Sequence, residues 1–359
     1  MNILFIYQQL STQTGGGVFT NVILRSLRNI SSGLTEYSYP PYKNGLDKLS
    51  NQLQLYSGGM KRNYLIDIFR IITEKEIDLI VYNGSQLGMV VRKIKKKYPH
   101  VMTITIFHNL EYKFVLDAMK IRKNPAQLIT LLSTYVNERY AILYSDIIVT
   151  LNERDSESVV ALYKRKADFV LPLCIEDRFD YAKAEGRSEK KTGAFVGSNF
   201  YANNKGIKWF CENVSNQIDC KILVIGKGFE EESDYFNQYP NIELIGTVDR
   251  TDDYYYNADF IVSPIFDGSG MKTKTAEALM FGKTIFATTE AFEGYEIDYQ
   301  RAGAICNTAE DFIEEINTLD LKQGRFNEYS RSMFEANYSQ TVFEEKLSHI
   351  IDCSFCKRK

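Results

Sequence analysis

The stretch Asp267-Gly268-Ser269-Gly270-Met271-Lys272-Thr273-Lys274-Thr275-Ala276-Glu277 decides how the second half of the chain folds. An apolar run at 260–264 comes before it, and a helical pattern continues beyond it through Met280. A strand, a glycine loop and a helix in this order predict one unit of a parallel α/β sheet. The glycines leave backbone N–H groups accessible at the positive end of the helix, which suits a diphosphate.

Charged side chains in this stretch also point to a bound ligand. Lys272 or Lys274 can place a positive charge beside the phosphate that the glycine loop faces. Glu277 lies about one turn into the helix, where a carboxylate can accept hydrogen bonds from ribose hydroxyls. The alternative is a glycine-rich turn with solvated lysines and a first-turn glutamate that stabilises the helix.

A second loop of the same kind follows an apolar run at 193–196. Gly197 and Ser198 open a polar loop, which continues through Lys205 into an apolar helical pattern. Parallel strands bring such loops to one edge of the sheet, where open α/β sheets bind ligands. We therefore expect Gly197 to allow a close approach and Lys205 to meet a phosphate, unless this lysine is simply solvated.

Apolar runs alternate with amphipathic stretches along the whole chain, which predicts repeated βαβ units. The predicted strands are 2–7, 78–82, 101–107, 146–150 and 167–171 in the first half, and 193–196, 221–225, 242–245, 260–263 and 284–287 in the second. The expected fold is α/β, with two Rossmann-like, doubly wound domains that face each other across a cleft. We assign 1–175 to the first domain, 176–191 to a polar linker, 192–335 to the second domain and 336–359 to a C-terminal helix, whose packing, back on the first domain or on the second, stays open.

The bulk composition excludes several classes of function. The 359 residues carry a formal net charge of −3, so we expect no nucleic-acid partner, which would require a strong positive field. The six cysteines lack the spacing of a disulfide scaffold, and Cys353 and Cys356 have only His349 nearby as a further metal ligand. We expect no metal site and a reducing, cytoplasmic location. The apolar run at 1–7 is too short for a signal peptide.

The first half offers two weaker candidate features. The run Gly15-Gly16-Gly17 follows the first predicted strand and precedes a helix, so it is either a ligand-facing loop or a tight turn. His108 ends a predicted buried strand, with Asn109 and Glu111 on the same loop. A neutral imidazole there can hydrogen-bond a hydroxyl group, although a structural histidine is the alternative.

Taken together, the segments 196–210, 221–227, 244–249 and 259–288 resemble the nucleotide-sugar half of GT-B glycosyltransferases, close to family 4 and its Gly-Ser-Gly-Met-Lys-x-Lys subgroup. In the first half, only the glycine loop, the strand that ends at His108 and the strand order are similar. The resemblance implies a nucleotide diphosphate sugar as co-substrate, no other cofactor and no metal. Many members of the family carry an acidic residue where this chain has Ser269, and the amides of Gly270 and Met271 would replace its contact with the donor sugar.

The resemblance also implies roles for individual residues. Lys205 and either Lys274 or Lys272 would lie near the diphosphate, and Glu277 would bind the ribose. The backbone at Thr247 and Val248 would face the base. The implied donor-binding set is Gly16, Gly17, Gly197, Ser198, Lys205, Thr247, Val248, Ser269, Lys272, Lys274 and Glu277, and the implied catalytic set is His108, Gly270 and Met271.

The implied activity is transfer of a hexose-type sugar to a saccharide acceptor, with retention of configuration, in surface-polysaccharide or other glycan assembly. A sugar-nucleotide 2-epimerase of the same architecture and a non-catalytic GT-B partner subunit stay open. The basic run Arg92-Lys93-Ile94-Lys95-Lys96-Lys97 is either a solvated helix face or a contact with anionic lipid. The second reading would suit a lipid-linked acceptor and a peripheral place at the inner face of the membrane.

Overall fold

The computed structural model describes residues 1–11, 14–121, 126–183, 191–320 and 325–356. The chain forms two compact units, the first made of Met1–Leu173 with Phe343–Lys359 and the second of Cys174–Val342. Each unit contains one six-stranded sheet whose paired strands run parallel. The prediction of two Rossmann-like, doubly wound α/β domains is confirmed.

The first sheet is built on central strands that are buried on both faces. Its strands are β1 (Asn2–Gln8), β2 (Gly33–Tyr39), β3 (Leu79–Asn83), β4 (Met102–Phe107), β5 (Ile147–Thr150) and β6 (Phe169–Val170). They lie in the order β2-β1-β3-β4-β5-β6. Every residue of β3, β4 and β5 is buried, as expected for parallel strands covered by helices on both faces.

The helices of the first unit occupy the connections between these strands. They are α1 (Gly15–Ile30), α2 (Gly45–Leu53), α3 (Tyr64–Glu74), α4 (Gly88–Lys97), α5 (Glu111–Ile121), α6 (Ala126–Tyr144) and α7 (Glu153–Tyr163). Three of them begin at a side chain that accepts a bond from a free backbone N–H, namely Thr14 at α1, Asn44 at α2 and Asn152 at α7. Such caps fix where a helix starts.

The second sheet has a different strand order. Its strands are β7 (Thr192–Val196), β8 (Lys221–Ile225), β9 (Ile242–Gly246), β10 (Phe260–Ser263), β11 (Thr284–Ala287) and β12 (Gly303–Ile305), arranged β12-β11-β10-β7-β8-β9. The helices that follow in the chain are α8 (Tyr201–Asn213), α9 (Ser233–Phe236), α10 (Asp252–Asn257), α11 (Thr273–Met280), α12 (Tyr299–Ala302), α13 (Ala309–Thr318), α14 (Glu328–Asn337) and α15 (Gln340–Cys356).

Two edge strands, β2 and β12, were not predicted from the sequence. β2 reads Gly-Leu-Thr-Glu-Tyr-Ser-Tyr and buries only its last residue, so it lacks the apolar run that marks the other strands. β12 has three residues, none of them buried. Both lie at a sheet edge, where one side of the strand has no neighbour and apolar residues are not required.

The boundary between the units differs from the predicted one, because part of the expected linker packs into the second unit. The Asp177 carboxylate accepts bonds from both terminal nitrogens of Arg331, at 2.9 and 2.5 Å. The ring of Phe179 packs against Phe326 and Tyr256, with centroids 5.3 and 5.7 Å away. A polar composition does not reveal such contacts. Residues 184–190 of the predicted linker lie outside the described residues.

The C-terminal helix also divides at a different place from the predicted start at 336. Residues 336–342 belong to the second unit, whereas α15 from Phe343 onward belongs to the first. There the ring of Phe343 meets Phe19 edge-on, with centroids 5.4 Å apart. The Glu344 carboxylate accepts a bond from Asn29 at 2.9 Å.

Candidate functional site

The strand order of the second sheet places its candidate site beside β7. From this strand, β8 and β9 follow on one side, whereas β10, β11 and β12 lie on the other. Counted from the first strand of the unit, the order is 6-5-4-1-2-3, which is the Rossmann order. Ligands of open α/β sheets bind at this reversal, outside the carboxyl ends of the strands. The loops after β7 and β10 therefore form the candidate site.

The two loops predicted to bind phosphate meet at Gly197. A Cβ at this position would lie 2.9 Å from the Lys274 Nζ and 2.9 Å from the Asn203 Nδ2, so a side chain here would displace one of these two polar groups. The Lys274 Nζ donates a hydrogen bond to the Asn203 Oδ1 at 2.6 Å. It also lies 4.7 Å from the centre of the Phe195 ring. The lysine is thus fixed between the two loops by a glycine, an amide and an aromatic face.

Lys274 carries a weakly compensated charge. Burial lowers its pKa from 10.5 to about 7, and the nearby charge of Lys272 acts in the same direction. Glu277 raises the pKa, but with the smallest effect of the three. A bound anion would stabilise the protonated form, because opposite charges at short range favour ionisation.

Lys272 has its charge compensated within the protein. Its Nζ donates to the Glu290 Oε1 at 2.7 Å and to the Gly270 carbonyl oxygen at 2.8 Å. Gly268 and Gly270 have φ values of +152° and +65°, a region that favours glycine, so the loop turns sharply before α11. Met271 is buried, and Ser269 is partly exposed in this turn. The structure therefore singles out Lys274, rather than Lys272, as the less compensated cation.

Glu277 lies near the middle of α11 and is held at both carboxylate oxygens. Arg178 donates to its Oε1 at 3.2 Å, and the Tyr255 hydroxyl donates to its Oε2 at 3.1 Å. Burial raises the pKa of this carboxyl group, and the charge of Arg178 opposes that shift. The carboxylate is fixed but not saturated, since an ionised carboxylate offers about four acceptor positions.

The remaining predicted residues of this unit lie further out. Lys205 is 64% exposed and pairs with Asp267 at 2.5 Å, so it lies beside the glycine loop without being buried there. Ser198 is exposed and Val248 is partly exposed. The backbone N–H of Thr247 donates to the Glu230 carboxylate at 2.5 Å. The role of the backbone at 247–248 in binding a base stays a prediction.

A small cavity lies at the equivalent edge of the first sheet, where the order reverses between β1 and β3. It has a volume of about 130 Å³, and its polar lining includes Gln8, Asn83, His108 and Glu111. The His108 Nε2 lies 2.6 Å from the Asn83 Oδ1. Burial lowers the pKa of His108 to about 4, so the imidazole is neutral at physiological pH. Burial also raises the pKa of Glu111.

The glycine loop of the first unit, at 15–17, forms the tight turn at the start of α1. The N–H of Gly17 donates to the Thr14 hydroxyl at 3.2 Å, which caps α1. A Cβ at Gly17 would lie 2.0 Å from the Ser11 carbonyl oxygen, and one at Gly16 would lie 3.2 Å from Leu10. The close Ser11 backbone accounts for Gly17 through local packing, whereas Gly16 meets only the end of the Leu10 side chain, and donor binding by both glycines stays a prediction.

Sequence reasoning missed two residues that hold these sites in place. Arg178 was assigned to the linker, although it contacts Glu277. Glu138, in the middle of α6, is completely buried and accepts bonds from the Ser85 hydroxyl and the Tyr163 hydroxyl. Burial raises the pKa of Glu138 to about 7. Glu138 is one of two charged residues in α6, next to Arg139, and this local pattern does not show which of the two is buried.

The cations of the basic run at 92–97 differ in their exposure and in their partners. Arg92 lies over the Tyr140 ring, 4.6 Å from its centre. The Lys95 side chain is only 13% exposed and pairs with Asp146 at 2.8 Å. Lys93, Lys96 and Lys97 are exposed. Three of the five cations of this run are therefore exposed enough to contact an anionic surface.

The described part of the chain contains neither a cluster of metal ligands nor a membrane-spanning helix. No group of three or more His, Cys, Asp or Glu side chains there is placed to hold a metal ion. No helix in the same residues has the length and apolar character needed to cross a bilayer.

The chain is similar to known proteins in one domain by sequence and in both by fold. Residues 190–320 match the family described as Glycosyl transferases group 1. No curated protein matches the chain by sequence. The family match falls on the part of the chain where the resemblance to GT-B glycosyltransferases is strongest.

Similar solved structures span both units. Sucrose-phosphate synthase of Thermosynechococcus elongatus has a TM-score of 0.74 at 12% identity, over 99% of this chain and 100% of that one. HepE of Anabaena in complex with UDP has a TM-score of 0.73 at 9% identity, over 98% and 100%. The catalytic domain of starch synthase IV from Arabidopsis thaliana, bound to ADP and acarbose, has a TM-score of 0.66 at 9% identity, over 98% and 99%. These identities establish a shared fold.

Replacing Lys274 by methionine is expected to stabilise the ligand-free protein. Methionine keeps a long side chain but removes the charge whose burial lowers the pKa to about 7. We expect the free energy of unfolding at pH 7, measured with denaturant, to rise by about 1–2 kcal/mol. Between pH 7 and pH 10.5 the unfolded chain binds more protons at this lysine, so the original protein gains stability and the difference narrows.

Lys205→Met is the matched control for this prediction. Because Lys205 is 64% exposed, its replacement should change the unfolding free energy by less than about 0.5 kcal/mol. If Lys274→Met instead destabilises the protein at pH 7, Lys274 serves the fold and not a ligand.

Proposed function

We propose that this chain is a glycosyltransferase that moves a hexose-type sugar from a nucleoside diphosphate sugar to a saccharide acceptor. The observation that carries the proposal is the placement of Lys274 and Glu277 on one helix, α11, at the carboxyl edge of the domain that matches Glycosyl transferases group 1. The cation suits a diphosphate and the carboxylate suits a ribose. One helix thus offers partners for both parts of a nucleoside diphosphate.

The same residues suit the departure of the diphosphate. In the transfer, the acceptor oxygen bonds to the anomeric carbon of the sugar while the bond from that carbon to the diphosphate breaks. Negative charge builds on the leaving group, where Lys274 and the amides of Gly270 and Met271 would stabilise it. The proton of the acceptor hydroxyl passes to the released diphosphate. We propose that these groups act without a metal ion.

The cavity of the first unit supports the acceptor side of the proposal. Its volume of about 130 Å³ is that of a small polar ligand, and its lining offers amide, imidazole and carboxylate groups. Because the Nε2 of the neutral His108 donates to the Asn83 Oδ1, its Nδ1 can accept a hydrogen bond from a sugar hydroxyl. Similar folds bind related ligands, since HepE is solved with UDP-glucose and starch synthase IV with ADP and acarbose. We propose glycan assembly as the setting.

A panel of nucleotide sugars tests donor binding. UDP, GDP, dTDP and ADP sugars are added separately, and thermal unfolding is followed. A ligand at 100 times its dissociation constant should stabilise the protein by about 2.7 kcal/mol. With Glu277→Gln we expect the shift for the best donor to be lost, because the amide offers fewer acceptor positions to the ribose.

Glu314→Gln is the control for that panel. Glu314 is exposed on α13, so this variant should keep the full shift. A chain that binds none of the four donor classes is not a glycosyltransferase of this kind. Conversion of UDP-N-acetylglucosamine to its 2-epimer without any acceptor would favour an epimerase.

The configuration of the product tests the proposed retention. We expect the anomeric configuration of the donor sugar to be kept in the transferred sugar. Proton NMR of the product, recorded during the first turnovers with the best donor of the panel, measures it from the anomeric coupling constant. An inverted product would overturn retention while leaving transfer itself in place.

We propose that the first unit contacts an anionic lipid surface, which suits a lipid-linked acceptor. Three apolar side chains on α2 and α3 are strongly exposed, Leu46 at 79%, Leu53 at 66% and Ile66 at 72%. A cavity of about 750 Å³ between these helices and α4 is lined by Ile66, Arg62 and Lys93. Apolar side chains beside exposed cations are the composition expected of a surface that lies on a membrane.

Vesicle binding tests this surface. Lys93→Gln combined with Arg62→Gln should weaken binding to vesicles with 30% phosphatidylserine by about 30-fold, since each cation contributes roughly 1 kcal/mol. Lys113→Gln with Lys346→Gln removes two exposed cations of the same unit at other places and is the control. Equal losses in both double variants would indicate a net-charge effect, and no vesicle binding by the original protein would remove the proposal.

A further inference from the structure

Arg178 links two carboxylates that lie on different helices of the second unit. Its Nη2 donates to the Glu277 Oε1 of α11 at 3.2 Å, and its Nε donates to the Asp252 Oδ1 of α10 at 3.1 Å. Its backbone N–H contacts the Met280 Sδ at 3.3 Å, so the main chain at Arg178 is also fixed against α11. The guanidinium is planar, and two bonds to different partners fix its orientation.

This arrangement determines the direction of the Glu277 carboxylate. Arg178 binds one oxygen and the Tyr255 hydroxyl binds the other, at 3.2 and 3.1 Å. Since a carboxylate has about four acceptor positions, roughly one position on each oxygen is left. Two parallel acceptors on one rigid group match two neighbouring hydroxyls, and the 2′- and 3′-hydroxyls of a ribose are such a pair.

We propose that Arg178 is a positioning residue that aims Glu277 at both ribose hydroxyls, so that the site selects ribonucleoside diphosphates over 2′-deoxyribonucleoside diphosphates. The inference rests on the proposed function, because it takes the bound ligand to be a nucleoside diphosphate. It favours UDP, GDP or ADP sugars over dTDP sugars as the donor. A site built to bond a hydroxyl discriminates strongly against a ligand that lacks it, because the buried acceptor is then left unpaired.

The charge of Asp252 does not explain why a second arginine, Arg178, is present beside it. The Asp252 Oδ2 already accepts bonds from Arg250, at 2.5 Å from its Nη2 and 3.2 Å from its Nε. Arg250 is 73% exposed, so it provides this charge at the surface with little desolvation. Arg178, at 29% exposure, is the arginine that also reaches Glu277. The two arginines therefore form a natural pair of test and control.

The charges around Glu277 give the direction of a pH effect. Arg178, Tyr255 and Asp252 act on it, and Lys274 and Tyr295 also interact with it electrostatically. Burial and Asp252 raise the pKa of Glu277, whereas Arg178 and Tyr255 lower it. Without Arg178, the carboxylate would take up its proton at a higher pH. Loss of ribose binding on acidification should then begin at a higher pH as well.

Calorimetric titration with UDP and 2′-deoxy-UDP, or with the same pair for whichever base binds best, tests the inference. The original protein should bind the ribonucleotide at least about 10-fold more tightly, a difference of roughly 1.4 kcal/mol. In Arg178→Gln the ratio should fall towards one, and its residual affinity should be lost at a higher pH than in the original protein. Arg178→Lys keeps the charge without the planar fork and should restore the ratio only in part.

Arg250→Gln is the matched control, and it should keep the ratio of the original protein. Tyr255→Phe removes the other bond to Glu277 and should also lower the ratio, which keeps the inference testable if Arg178→Gln does not fold. An unchanged ratio in a folded Arg178→Gln protein, or an equal loss in Arg250→Gln, overturns the role of Arg178. If the original protein binds no nucleoside diphosphate, the proposed function fails, and the inference fails with it.

Discussion

The close approach of backbone segments at two glycines, Gly206 and Gly226, holds the site of the second unit together. A Cβ at Gly206 would lie 1.9 Å from the Pro264 carbonyl oxygen, and one at Gly226 would lie 1.9 Å from the Gly197 carbonyl oxygen. These positions bring α8 and the loops after β7, β8 and β10 into contact at one edge of the sheet. The amides and side chains that face a ligand are therefore placed by packing and not by a flexible loop, which favours preorganised binding.

The two charged groups on α11 are placed at a cost to the folded protein. Lys274 is the second residue of this helix, where the positive end of the helix dipole disfavours a cation. Burial disfavours its charged form too, and it also disfavours the charged form of Glu277, which has Arg178 as its nearest cation. An anionic diphosphate would relieve the first of these effects. A fold under no functional constraint would have no reason to keep a lysine in this place.

The sequence predicts those parts of the structure that depend on local patterns. Buried strands such as β3 and β10 lie on continuous apolar runs. The glycines before α11 indicate the turn that is found there. The edge strands β2 and β12 do not follow this rule, because they are largely exposed and leave no apolar run, whereas the edge strands β6 and β9 lie on apolar runs. The contact between Arg178 and Glu277 joins positions 99 residues apart, so no local pattern can reveal it. The resemblance to a family suggested a role for Glu277 but not the residues that orient it.

Glu138 and Glu277 show how a structural carboxylate differs from one that can bind a ligand. Burial raises the pKa of both Glu138 and Glu277, so the direction of the shift does not distinguish them. Glu138 accepts bonds from two hydroxyls and from the backbone N–H groups of Glu111 and Tyr112, at 2.7 and 3.4 Å. These four donors fill the acceptor positions of a carboxylate, so Glu138 fixes the start of α5 and has none left for a ligand. Glu277 has two of those positions filled, and its open positions are the physical reason to place a ligand there.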